Sequence, residues 1–287
     1  MVLAGATNVG KTLVALEICS SLITGNLLWG ELEPTIRAKK ILYVLGEHYN
    51  AVVQRLWAHT KLPMTDQVFL IGPEQLGYDK WMVAQGKPNP VSIAKLSRWA
   101  EKCDLIVFDP LAAFLTGVDA ENDNVQMRLV LDTMSLVTQA SGASCIILAH
   151  QGKPAIGANG QEFAKKAYAI RGASAIEDAA TNIFYMNAAE GTSAASMESR
   201  DHKVFILKCR KYKGLSVDEF KLMRDPNRLT HTLLGNRPFT EVRRIETQAK
   251  LARIGNAFPD LRQAEIIKMM SASEGMSEET IRRYLKT

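Results

Sequence analysis

The chain has 287 residues, 47% of them hydrophobic and 23% charged, with a formal net charge of +5. That length and apolar content suit one large sheet-and-helix core with a small appendage and exclude a disordered chain. The mild positive charge permits a polyanionic partner without requiring one. Cys19, Cys103, Cys145 and Cys209 form no CxxC pair, and three of them lie in apolar runs. They read as buried thiols of a reducing cytoplasm, not as a disulfide framework or zinc site. The start, Met1-Val-Leu-Ala-Gly5, has no basic segment and meets glycine at once, so it does not read as a signal peptide. No apolar run approaches the roughly 20 residues that span a bilayer.

In chain order, Val2 to Ala4 reads as a short strand and Lys11 to Thr24 as a helix. Ile41 to Leu45 is a buried strand, Ala51 to His59 looks helical, and Val68 to Ile71 is a short strand before a loop rich in Gly and Pro. Val91 to Lys102 is an amphipathic helix, Leu105 to Asp109 a buried strand, Asn124 to Ala140 a helix, and Ala143 to Ala149 another buried strand. Continuous apolar strands alternating with helices imply a parallel sheet covered on both faces. Gln151 to Tyr168 is polar, without a clear period, and reads as a mobile loop. Ile183 to Asn187 and Val204 to Cys209 read as strands, and Glu219 to Arg224 as the last strand, in hairpin register with Val204 to Cys209. Beyond about Pro238 the chain turns helical and charged, with helices at Arg262 to Ser271 and Ser277 to Leu285. The expected division is residues 1–238 and 239–287.

Gly5-Ala6-Thr7-Asn8-Val9-Gly10-Lys11-Thr12 fits the pattern G-x-x-x-x-G-K-[ST], between an apolar strand and a helix. Glycines let the backbone wrap so that successive N–H groups face a phosphate, and the helix N-terminus adds its dipole. Lys11 is placed to reach the β- and γ-phosphates and the Thr12 hydroxyl to ligate Mg²⁺, so ATP and Mg²⁺ are the expected cofactors. The loop stands at the extreme start of the chain, where such domains usually carry residues upstream, and this leaves open whether the chain is shortened.

Three further polar residues follow apolar strands. Asp109 is the expected second Mg²⁺ carboxylate, acting through water. Glu47 faces the same sheet edge and is a candidate to orient and deprotonate an attacking water. His150, followed by Gln151, can hydrogen-bond a γ-phosphate and report its loss to the next loop. Each also has an ordinary reading, as a turn, cap or solvated residue. Glu31, Glu33 and Asp104 read as solvated acids.

The order of these motifs resembles the RepA-type hexameric replicative helicases, RecA-like ATPases related to DnaB helicases. The motifs run from the phosphate loop through Leu42-Tyr-Val-Leu-Gly-Glu47, Gln54-Arg-Leu, Ile106-Val-Phe-Asp109-Pro-Leu and Glu121-Asn122 to Ile147-Leu-Ala-His150 and Arg171-Gly-Ala-Ser-Ala175. The resemblance covers about residues 1 to 225. It implies a RecA-like P-loop fold, a homo-oligomeric ring, usually a hexamer, with ATP between subunits, Glu47 as the catalytic carboxylate and His150 as the γ-phosphate sensor. It also implies that the loop after His150 faces single-stranded DNA, where Lys153, Lys165 and Lys166 suit backbone phosphates. The family's arginine finger falls on Thr181. Lys208-Cys-Arg210 resembles the Lys-x-Arg that DnaB-like helicases insert into the neighbour's site, which makes Arg210 the candidate finger with Lys208 beside it.

The tail helices are similar to a helix-turn-helix whose second helix carries Arg282 and Arg283. The expected function is therefore an ATP-dependent motor on single-stranded DNA, a replicative helicase, working without a membrane. The alternatives are a RecA-like recombinase or mediator, and an ATP-switched DNA-binding regulator. A small-molecule P-loop kinase is least favoured.

Overall fold

The computed structural model describes residues 1–7, 9–46, 60, 66–72, 75, 82–84, 87–115, 124–151, 155–156, 162–163, 173–188, 203–211, 219–225, 229–234, 248, 251, 254, 256–259, 261–274 and 277–285. Short runs of apolar residues fully buried along their length make the centre of one nine-stranded sheet. Its strands are β1 (Val2–Gly5), β2 (Ile41–Leu45), β3 (Val68–Ile71), β4 (Leu105–Asp109), β5 (Ser144–His150), β6 (Ile183–Ala188), β7 (Lys203–Lys211), β8 (Glu219–Asp225) and β9 (Thr230–Leu233). The spatial order is β9-β8-β7-β6-β1-β5-β4-β2-β3. The half from β6 to β3 is parallel, and β7, β8 and β9 extend it as antiparallel neighbours.

Side chains alternate across the strands, so each face has its own core. On one face α1 (Lys11–Thr24) packs through Ala15, Leu16 and Cys19 on Tyr43, Val107 and Leu148. Further along that face Val14 and Trp29 meet Met186, Phe205 and Leu222. The other face holds Leu42, Ile106 and Phe108 under α2 (Pro90–Ala100), α3 (Asn124–Ser141) and α4 (Ala173–Ala179). Local signals set the helix ends. Asn89 caps α2, accepting a bond from Val91 N–H at 3.1 Å, and Pro90 stands in the first turn, where a missing N–H costs nothing. Gly25, at φ 75°, closes α1 in the left-handed conformation that glycine tolerates.

The hairpin expected between Val204–Cys209 and Glu219–Arg224 is present, with Val204 opposite Met223 and Leu207 opposite Phe220. Two expectations are corrected. Glu219–Asp225 is not the last strand: Thr230–Leu233 pairs beyond it, held inside by His231 although its Thr-His-Thr-Leu sequence has no apolar run. Gln151 to Tyr168 is not wholly irregular: Ala155–Ile156 pairs with Glu162–Phe163. The expected helix at Ala51 to His59 lies outside the described residues.

Two C-terminal helices, α5 (Gln263–Glu274) and α6 (Glu278–Leu285), join through a small apolar cluster of Leu251, Ile266, Ile267, Met270 and Ile281. Glu265 turns back to accept the Arg262 N–H at 2.8 Å, half of a capping box. Arg282, exposed, pairs with Glu278 on its own helix at 3.3 Å.

Candidate nucleotide site

The parallel strands bring their carboxyl ends to one edge. Gly5 of β1 lies opposite His150 of β5, and Asp109 of β4 opposite Leu45 of β2. The loop after Gly5 therefore opens beside Asp109 and His150. Gly5 itself cannot carry a side chain without a shift, since a Cβ there would sit 2.4 Å from the Met186 carbonyl oxygen. Gly10, at φ 105°, turns the chain into α1 in a conformation that L side chains rarely adopt.

Lys11 opens α1 with its side chain folded back into the loop. Its Nζ donates to the Gly5 carbonyl at 3.0 Å and to the Ala6 carbonyl at 2.7 Å. Burial lowers its pKa to about 8, while the nearby Asp109 carboxylate pulls the other way. The Gly5 carbonyl also accepts the Gln151 N–H at 3.0 Å, so one oxygen joins the lysine to the segment leaving β5. Thr12, half-buried, follows in the first turn of α1.

Asp109 is 8% exposed, and alternation along β4 turns it toward the α1 face with Leu105 and Val107. The Tyr43 hydroxyl, from the buried face of β2, donates to Asp109 Oδ2 at 2.7 Å. Burial, and then the Asp109 charge, push the Tyr43 pKa well up, so the phenol remains a donor. At the end of β2 the Gly46 N–H donates to the Asp109 carbonyl at 2.9 Å, and a Cβ on Gly46 would lie 2.3 Å from Ala113 Cβ. The exit of β2 at Gly46 thus lies close against the turn Leu111–Phe114.

A buried ammonium held by the Gly5 and Ala6 carbonyls, beside a buried carboxylate, offers cation and anion to a ligand that carries both charges. A nucleoside triphosphate with Mg²⁺ fits that donor set: Lys11 and the loop N–H groups for phosphate oxygens, Thr12 and Asp109 for the metal.

Of the residues singled out in the sequence, Gly5, Ala6, Thr7, Val9, Gly10, Lys11, Thr12, Asp109 and His150 come together at this edge. Asn8, Glu47, Lys153, Lys165 and Lys166 lie outside the described residues. Lys208 does not join the edge: it pairs with Tyr185 and Glu219 in the body of the sheet. Arg210 is the extra residue where the β6–β7 register shifts, near the start of β1, and its side chain lies outside the described part. Thr181 is exposed in the turn before β6, at that same lower edge.

Sequence reasoning missed three features. Tyr43 read only as core, although a phenol inside a strand needs a hydrogen-bond partner. Arg224 lies one residue from the end of β8, on the side of the loop edge, and a Cβ on Gly10 would be 3.4 Å from its Nη1. Glu17 on α1 is buried, accepting the His231 N–H, the His231 ring at Nδ1 (2.8 Å) and Trp29 Nε1 (3.0 Å). No helix among the described residues is long and apolar enough to cross a membrane.

No curated protein matches the chain. A KaiC-like protein of the hyperthermophilic archaeon Pyrococcus horikoshii superposes with a TM-score of 0.50 at 13% identity, over 82% of this chain and 88% of that one. At that identity the likeness shows the fold alone, a RecA-like α/β fold with a mainly parallel sheet. The family described as AAA domain matches residues 1–155, the part that contains the phosphate loop, Asp109 and His150. The chain belongs to that AAA domain family and is a RecA-like P-loop ATPase.

Proposed function

We propose that this ATPase is a motor on single-stranded DNA that works as a ring of identical subunits, a hexameric replicative helicase of the RepA type. The observation that carries the reading is the shared Gly5 carbonyl. It accepts both Lys11 Nζ and the Gln151 N–H, so the phosphate-binding lysine and the segment that leads to Lys153, Lys165 and Lys166 rest on one atom. Residues 1–238 form the ATPase unit in this reading and 239–287 a helical appendage. The pairing of Arg282 with Glu278 gives no support to a DNA-reading second helix, so the regulator alternative is not favoured.

Bound ATP supplies the transferable phosphoryl group, with Mg²⁺ neutralising its oxygens. Lys11 leaves its two carbonyls for phosphate oxygens, Thr12 and Asp109 hold the metal, and Tyr43 keeps the Asp109 carboxylate oriented. Glu47 accepts the proton of the attacking water. His150 senses the phosphate from the strand beside β1. Lys208 and Arg210 serve a neighbouring subunit's site; what supports this is their register, away from the loop edge of their own subunit.

The test is the ATPase rate of the full chain with and without single-stranded DNA, beside Glu47→Gln. Stimulation by DNA, and ATP binding with very slow turnover in Glu47→Gln, are expected. A rate indifferent to DNA removes the motor, and unchanged turnover removes Glu47.

A further inference from the structure

We propose that Arg224 is a phosphate-binding residue of its own subunit, a second fixed cation reaching the polyphosphate from the β8 side of Gly10. The inference rests on the reading of Gly5–Thr12 as a nucleotide site and adds a residue that the motif does not contain.

Strand register gives the first support. Glu219 pairs with Lys208 toward the lower edge, whereas Arg224 pairs with Lys203 at the upper one. Met186 lies opposite Gly5 on β1 and Leu207 on β7, and Leu207 lies opposite Phe220, so Arg224 stands four residues beyond that level, on the side toward which the phosphate loop leaves β1. Proximity gives the second. Arg224 Nη1 lies 3.4 Å, and Met186 Cε 3.6 Å, from the point where a Gly10 Cβ would stand. A side chain at Gly10 would fill the space between the guanidinium and the loop.

The guanidinium also stands on a built shelf. Its Cζ lies 5.0 Å over the ring of Phe205, which is 1% exposed. Phe205 is braced edge-on by His231, centroids 5.9 Å apart, and His231 is the cross-strand partner of Arg224. A guanidinium attracted to a ring face by its charge does not spend its N–H donors there, so they remain for a ligand. Among the described residues no carboxylate pairs with it. Burial lowers its pKa, as expected of a half-buried cation without an acid beside it.

Three positive sources thus converge on one loop: the N-terminal dipole of α1, the Lys11 ammonium and Arg224. Among the described residues, Asp109 is the acid whose charge acts on Lys11. Like charges so placed repel in the free protein, and a polyanion relieves all three at once. Arginine offers flat, forked donors matched to phosphate oxygens and retains its charge where Lys11 loses its own.

The experiment is calorimetric binding of ATP, inorganic tripolyphosphate and adenosine to the full chain, to Arg224→Gln and Arg224→Lys, and to Lys11→Ala. Arg224→Gln is expected to weaken ATP and tripolyphosphate by the same factor, about 10- to 100-fold for a charged hydrogen bond. Arg224→Lys falls between, and the salt dependence of tripolyphosphate binding becomes shallower in Arg224→Gln. The melting temperature without ligand stays level or rises in both variants. Unchanged tripolyphosphate binding overturns the inference, as does a loss confined to ATP, which would assign Arg224 to base or ribose. A lowered melting temperature in both variants also overturns it, marking a structural arginine. Failure of the underlying reading looks different: the unmodified chain then binds neither ATP nor tripolyphosphate, and Lys11→Ala changes nothing.

Discussion

The Tyr43 hydroxyl donates to Asp109 Oδ2 at 2.7 Å from a neighbouring parallel strand, inside the core and at the site at once. Tyr43→Phe removes that one bond and leaves the ring packing on Val107 and Leu148. A buried hydrogen bond to a charged group contributes about 1.5–3 kcal/mol. Part of that loss should appear as weaker Mg²⁺-dependent nucleotide binding, about 5- to 10-fold, in a Mg²⁺ titration at fixed ATP. Binding measured without Mg²⁺ should move much less. An equal loss in both conditions would mean that Tyr43 does not act through Asp109.

Lys11 predicts a pH dependence. Its pKa is lowered to about 8, chiefly by burial. The free protein therefore carries only about half of this charge at pH 8 and less above it, while phosphate binds the protonated form. Above pH 8 binding must take up a proton, and affinity falls by up to about tenfold per pH unit until the lysine pKa of the complex is reached. Nucleotide calorimetry between pH 7.5 and 9.5, in buffers of different ionisation enthalpy, reads both effects. A flat affinity without proton uptake sinks the prediction.

Glu17 accepts hydrogen bonds from the His231 N–H, the His231 ring and Trp29 Nε1, all buried. Glu17→Ala leaves these donors without an acceptor and should cost about 3–5 kcal/mol, the scale of breaking a buried polar network. Glu17→Gln retains one acceptor oxygen and should cost less. Denaturant unfolding followed by tryptophan fluorescence measures both, and a Glu17→Ala loss under about 1 kcal/mol would show that water replaces the carboxylate.

Gly46→Ala should destabilise because the new methyl group meets Ala113 Cβ at 2.3 Å and Phe114 at 3.1 Å. Overpacking of this kind costs about 1–3 kcal/mol, or about 2–4 °C of melting temperature per kcal/mol in a domain of this size. An unchanged melting curve would mean that the turn Leu111–Phe114 yields freely.

The parallel half of the sheet was legible because burial on both faces demands apolar runs, as in Ile41–Leu45 and Leu105–Asp109. The phosphate loop was legible because its chemistry constrains successive residues. β9 was not, because its inward position is His231, and a buried histidine makes sense only with Glu17, 214 residues away. Arg224 was equally hidden: nothing local distinguishes an arginine near the end of a strand from a solvated one. Only the order β8-β7-β6-β1 brings it to the loop. Tyr43 lay in plain view within an apolar run, but its partner is on another strand.

The buried contact between Glu17 and His231 also has a mechanical consequence. α1 carries the phosphate loop at one end and, less than two turns along, is tied through Glu17 to the backbone and ring of β9. Arg224 approaches the turn before the same helix from β8. A displacement of the loop that carries α1 with it is therefore transmitted to the antiparallel margin of the sheet. The β8–β9 hairpin and the phosphate loop behave as two ends of one stiff beam.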